Sequence, residues 1–136
     1  MAERKKKDSI SGTIRFTIGD MIFEYDEAKE EANILKHGIS LRSAARVFFD
    51  YDRIELYDEN HSEAEERYNT IGDTSAGNLV VGRAGMTDTV IDDILFVVYT
   101  ERFSDGKNAG NTDITRLISA RQATSFERGI YYGKFN

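Results

Sequence analysis

The chain predicts an α+β fold in a single domain, because its helix-patterned and strand-patterned stretches are segregated rather than alternating. Three observations carry this. Helical periodicity is confined to residues 27–48 and 124–132. Between them, residues 53–57, 67–71, 79–81, 94–100 and 113–120 read as short strands. The 136 residues contain no proline, repeat or linker that would divide them. The expected order is a hairpin, two helices, an antiparallel meander and one closing helix.

The elements follow from local chemistry. Residues 1–7 form a basic tail through Arg4, Lys5, Lys6 and Lys7, of the kind that frays. Ile14, Phe16 and Ile18 then alternate as in a half-buried strand. Gly19 and Asp20 suit a two-residue turn with glycine first, and residues 21–25 return. Met21 is also a candidate translation start, so residues 1–20 are read as an N-terminal extension and 21–136 as the main domain. Removing the extension takes away five basic and three acidic groups.

The first helix is fully punctuated. Asp26 is its N-cap, Glu27 suits its positive end, Lys36 and His37 its negative end, and Gly38 its left-handed stop. Ala28, Ala32 and Leu35 share one face, expected to be the buried one. Ser40 caps a second helix in which Leu41, Ala44, Ala45 and Phe48 repeat at helical spacing. Residues 94–99 are apolar on both faces and belong in the middle of the sheet. Thr124 and Glu127 form a capping box that opens the last helix, which ends at Gly133.

Composition narrows the function. There is no cysteine, so disulfides and thiolate metal sites are excluded. No apolar stretch approaches the roughly 20 residues needed to cross a bilayer, and no apolar segment follows the basic tail as in a secretory signal. A cytoplasmic location is expected. A net charge of −6 argues against coating nucleic acid through bulk electrostatics. The charge is uneven, however: residues 50–66 hold eight acids against Arg53, whereas residues 114–136 hold Arg116, Arg121, Arg128 and Lys134 against Glu127.

Known chemistry motifs are sparse. His37 and His61 are the only histidines, without the spacing of a zinc site. Neither a phosphate loop nor a serine-hydrolase elbow occurs. Asp88, Asp92 and Asp93 read as solvent-facing loop rather than a magnesium site. What remains is Lys36, His37, His61, Arg67, Arg116 and Arg121. Cleaving RNA without metal uses such groups: a base for the ribose 2′-OH, an acid for the leaving 5′ oxygen, and cations for the phosphorane charge between them. Each also has a plainer reading. Lys36 and His37 complement a helix dipole, His61 sits in a polar loop, and Arg67 pairs with a neighbouring acid. Strict alternation along residues 113–120 would send Arg116 and Arg121 to opposite faces.

Four ordered blocks resemble the BrnT family, ribonuclease toxins of bacterial toxin–antitoxin pairs. The first is Phe23, Glu24, Tyr25 and Asp26 with Asn33, Lys36, His37 and Gly38. The second is residues 44–50, from Ala44 to Asp50. The third is His61, Ser62, Glu65, Glu66, Arg67 and Tyr68 running into Ile71 and Gly72. The fourth is residues 95–102, then Arg116 to Arg121 with Ala123, Thr124, Glu127, Arg128, Tyr131 and Tyr132. The resemblance implies a RelE-like fold, with an antiparallel sheet, two N-terminal helices and one C-terminal helix. It also implies a metal-independent endoribonuclease that blocks translation, needs no cofactor and is neutralised by a BrnA-like antitoxin, a DNA-binding repressor. Its implied catalytic set is His61, Arg67 and Arg121, with Lys36, His37, Arg116 and Ser119 binding RNA. The alternative is a non-catalytic relative serving as the binding half of a DNA-bound repressor complex. Tyr25 replaces the family's usual tryptophan, Gln122 stands where a basic residue is common, and extra residues lie between Gly72 and Ile94 and at 104–111.

Overall fold

The computed structural model describes residues 12–59, 65–75, 93–103 and 113–133. Six strands, β1 (Thr13–Ile18), β2 (Met21–Asp26), β3 (Ile54–Tyr57), β4 (Tyr68–Asp73), β5 (Ile94–Phe103) and β6 (Asp113–Gln122), form one sheet in the order β1-β2-β6-β5-β4-β3. Helices α1 (Glu27–His37) and α2 (Leu41–Ala44), with the 3₁₀ helix Ala45–Phe49, follow β2, and α3 (Ser125–Gly133) closes the described chain. The strand expected at 79–81 lies outside the described residues.

Gly19 takes a φ of 60°, which lets β1 return into β2 through two residues with Ile18 opposite Met21. β3, β4, β5 and β6 form the expected antiparallel meander. β2, however, pairs with β6 in parallel, so the sheet is mixed rather than antiparallel throughout. The two helices after β2 explain this: they carry the chain away before β3, and β6 returns beside β2 running the same way. As its two-faced apolar pattern predicts, β5 lies between β4 and β6.

The two sheet faces bury different cores. On one, Phe23, Tyr25, Leu95, Val97, Tyr99, Leu117 and Ala120 pack under Ile39, Leu41, Ala44, Ala45, Val47 and Phe48. On the other, Tyr131 of α3 packs with Ile71, Ile94 and Ala123, and the half-buried Ile54 and Phe96 lie against them. Each fully buried side chain of this size contributes about 1.5–3 kcal/mol relative to exposure. β1 belongs to the first core, because Phe16 stacks on Phe23 at 5.4 Å and Arg42 lies 4.3 Å above the Phe16 ring. Gly72 lets the 3₁₀ helix approach β4: a Cβ there would stand 3.0 Å from Val47 Cβ.

Helix α1 departs from expectation. Leu35 is 85% exposed and Ala28 and Ala32 are exposed too, so the face they share does not enter the core. The helix is held instead by Asn33, its buried residue. The Asn33 amide donates to the carbonyls of Ile39 and Ala120 at 2.8 Å each, and its oxygen accepts from Ala120 N–H at 3.1 Å. The caps are as predicted: Asp26 accepts from Lys29 N–H, and Gly38 has a φ of 72°.

Candidate functional site

One irregularity in β6 organises the site. Ser119 pairs with Val98 and Leu117 with Tyr99, which leaves Ile118 as an extra residue, a β-bulge. The bulge resets the alternation, so Leu117 and Ala120 both face the α1–α2 core. Arg116 and Arg121 consequently point to the same, opposite face of the sheet, not to the two sides that strict alternation predicted.

That face is covered by α3 only at one end. Next to the covered part is a cavity of about 400 Å³ lined by Asp58, Arg67, Asn69, Phe96, Val98, Ile118 and Ser119. Arg67 and Ser119 therefore share one cleft, although they lie on either side of β5. Its walls include the apolar Phe96, Val98 and Ile118 and the amide of Asn69, whose buried Oδ1 is without a hydrogen-bond partner.

Arg121 stands over Phe96, with its guanidinium carbon 4.2 Å from the ring centre. Its two terminal nitrogens meet Glu127 at 2.9 and 3.0 Å. Glu127 also accepts from Thr124 N–H and donates its own N–H to Thr124 Oγ1, completing the predicted capping box. These contacts hold the Glu127 carboxyl below its usual range, the Arg121 hydrogen bond being the largest cause. Arg121 thus joins β6 to the start of α3 as well as bordering the cleft.

Lys36 and His37 end α1, whose position against β6 is fixed by Asn33. Burial lowers the His37 pKa from its ordinary 6.5, and the positive charges of Lys36 and then Arg121 lower it further. The imidazole is therefore mainly neutral at pH 7, the form that accepts a proton. An NMR titration of His37 is expected to give a midpoint below 6.5, moving upward in Arg121→Ala. A midpoint that ignores Arg121 would place the two groups out of electrostatic reach.

Arg116 lies farther along the same face, with its Nη1 2.8 Å from the Oε2 of Glu24, a carboxylate whose side chain is 3% exposed. Burial pushes the Glu24 pKa up, but hydrogen bonds from Arg15 and Arg116 outweigh it, so the group titrates below its ordinary 4.5. Its contribution to stability is complete above 4.5 and is lost as the pH falls through the lower folded-state value.

The structure thus brings Arg67, Ser119, Arg116 and Arg121 to one sheet face, while Lys36 and His37 lie at the end of α1, where His37 feels the charge of Arg121. His61 lies outside the described residues. Sequence reading overlooked Asn33 as the anchor of α1 and Asn69 as a cleft wall. Asn33 did carry a signal, as a polar residue one position from the helix's apolar stripe. Among the described residues, no group of three or more His, Asp or Glu is placed to hold a metal ion. No helix among them is long and apolar enough to cross a membrane.

Residues 25–84 match a family model: ribonuclease toxin, BrnT, of type II toxin–antitoxin system. The matched segment includes Lys36, His37, His61 and Arg67, while Arg116, Ser119 and Arg121 follow it in sequence. No curated protein matches the chain.

Proposed function

We propose that the protein is a BrnT-type toxin, a RelE-like, metal-independent endoribonuclease that blocks translation and is neutralised by a BrnA-like antitoxin. The observation that carries this reading is the bulge at Ile118, which gives Arg116, Ser119 and Arg121 the same face as Arg67. The family match over residues 25–84 supplies the reaction class.

In this reading a histidine removes the ribose 2′-OH proton, the 2′ oxygen attacks phosphorus, and the P–O5′ bond breaks as the 5′ oxygen takes a proton from the imidazolium so formed. The products are a 2′,3′-cyclic phosphate and a 5′-OH. His61 is assigned proton transfer, and His37 is assigned to RNA binding. Arg67 and Arg121 stabilise the phosphorane charge with planar, permanently charged forks. Lys36, Arg116 and Ser119 hold the RNA.

A second reading has an observation of its own. Arg116 and Arg121 each already face a carboxylate, Glu24 and Glu127 respectively, as in a relative that keeps the fold and serves only as the binding half of a DNA-bound repressor complex. Expressing the chain without a partner separates the two. Growth arrest, with RNA cut by the purified protein in EDTA, supports the toxin. Normal growth and intact RNA from a folded protein support the non-catalytic partner.

A further inference from the structure

We propose that Arg15, Arg102 and Arg116, gathered around Glu24 on the open sheet face, form a second site for backbone phosphate, so that bound RNA runs from the cleft across β6 and β2 to β1. This rests on the ribonuclease reading and extends it from Arg116 to Arg15 and Arg102, which neither the sequence blocks nor the family match assigns to RNA.

The geometry is that of one buried anion holding several cations. Arg15 meets Glu24 Oε1 through Nε at 3.2 Å and Nη2 at 2.8 Å. Arg116 Nη1 takes Oε2 at 2.8 Å, and Arg102 Nη1 lies 3.7 Å from the same oxygen. Arg102 Nε also meets Glu65 at 3.0 Å. One guanidinium fork is enough to pair with a carboxylate. Here three guanidinium groups share two carboxylates, leaving an excess of positive charge on a protein whose net charge is −6.

The charge is also presented outward. The Glu24 side chain is 3% exposed, whereas those of Arg15 and Arg102 are 56% and 44% exposed. Each guanidinium has five N–H donors, and the contacts to Glu24 and Glu65 use only part of them. Holding the inner edges of the arginines from below spares an incoming phosphate part of the cost of ordering long side chains.

The cluster continues the cleft. Arg116 lies across from Thr100 of β5 and Glu24 of β2, and Ser119, a cleft wall, is the next paired position on the same face, just past the bulge. Arg15 lies opposite Glu24 on β1, two strand spacings or roughly 10 Å from β6. Thr13 of β1 stands beside Arg116 as well, 3.5 Å from its Nη1. The N-terminal hairpin therefore adds a cation to the working face, from outside the segment that matches the family.

The test is equilibrium binding of a single-stranded 2′-O-methyl RNA, which lacks the attacking 2′-OH, across a range of salt concentrations. The double variant R15A/R102A, which leaves Arg116 on Glu24, is compared with the parent chain and with R15K/R102K. The alanine variant is expected to bind roughly tenfold more weakly at physiological salt, with a salt slope shallower by about 1.4 for two lost phosphate contacts. The lysine variant should restore the slope. Cleavage of ordinary RNA at saturation should match the parent in both, with thermal melting confirming the fold. If the parent binds and the alanine variant matches its affinity and slope, the cluster is structural only and the proposal falls while the ribonuclease reading stands. A loss confined to the saturating rate also overturns it. A parent that neither binds nor cuts RNA overturns both.

Discussion

Arg121→Ala is expected to lower RNA cleavage about 10²- to 10³-fold, the usual effect of removing one preorganised charge donor from a developing oxyanion. Because Arg121 also ties β6 to α3 through Glu127, Glu127→Gln is the necessary comparison. If Arg121 acts on phosphate, losing Glu127 weakens the docking of α3 but leaves the guanidinium beside the cleft, so cleavage falls far less than in Arg121→Ala. Arg121→Lys keeps a charge but loses the planar fork and should recover only part of the rate. Equal activity in the alanine and parent proteins, measured in a single turnover with RNA bound, would remove Arg121 from the chemistry.

Asn33→Ala should be the most damaging single change to α1. It deletes three hydrogen bonds and leaves the Ala120 N–H and two buried carbonyls without them. Each buried group left unsatisfied costs about 1–3 kcal/mol, so a destabilisation of roughly 3 kcal/mol or more is expected. In urea unfolding the midpoint should fall with little change in slope. Cleavage should fall as well, because Lys36 and His37 lie one turn beyond the lost anchor. A loss under about 1 kcal/mol would mean that apolar contacts hold α1, as its sequence pattern first implied.

That helix shows where the sequence was legible and where it was not. Caps and turns are local, and the residues alone announce them: Asp26, Gly38, Ser40, Thr124 with Glu127, and Gly19 all behave as their chemistry predicts. The meander and the central place of β5 also follow from patterns contained within single strands. Burial of α1 does not, because Ala28, Ala32 and Leu35 mark a face without saying what meets it, and a single polar residue, Asn33, does the anchoring. The parallel pairing of β2 with β6 joins residues some ninety positions apart and leaves no mark in either strand.

The site was legible as a set of residue types but not as an arrangement. Period-two alternation put Arg116 and Arg121 on opposite faces, and one unpaired residue, Ile118, reversed that result. Ile118 follows Leu117 as a second apolar residue in a mixed strand, and the bulge is read only from the register with β5. Glu24 was equally opaque. Its position in a strand of apolar residues fits either an exposed edge or a buried counter-ion, and only Arg15 and Arg116, from two other strands, decide for the latter.

In the proposed reaction, side-chain cations on the open face of the sheet stabilise a scissile phosphodiester without a divalent ion. Single-turnover incubation of the purified chain with RNA in EDTA tests it most directly, with the new ends identified chemically. Cleavage at an undiminished rate is expected, leaving 2′,3′-cyclic phosphate and 5′-OH ends. Intact RNA from a folded protein, or cutting that returns only when magnesium is added, would contradict it.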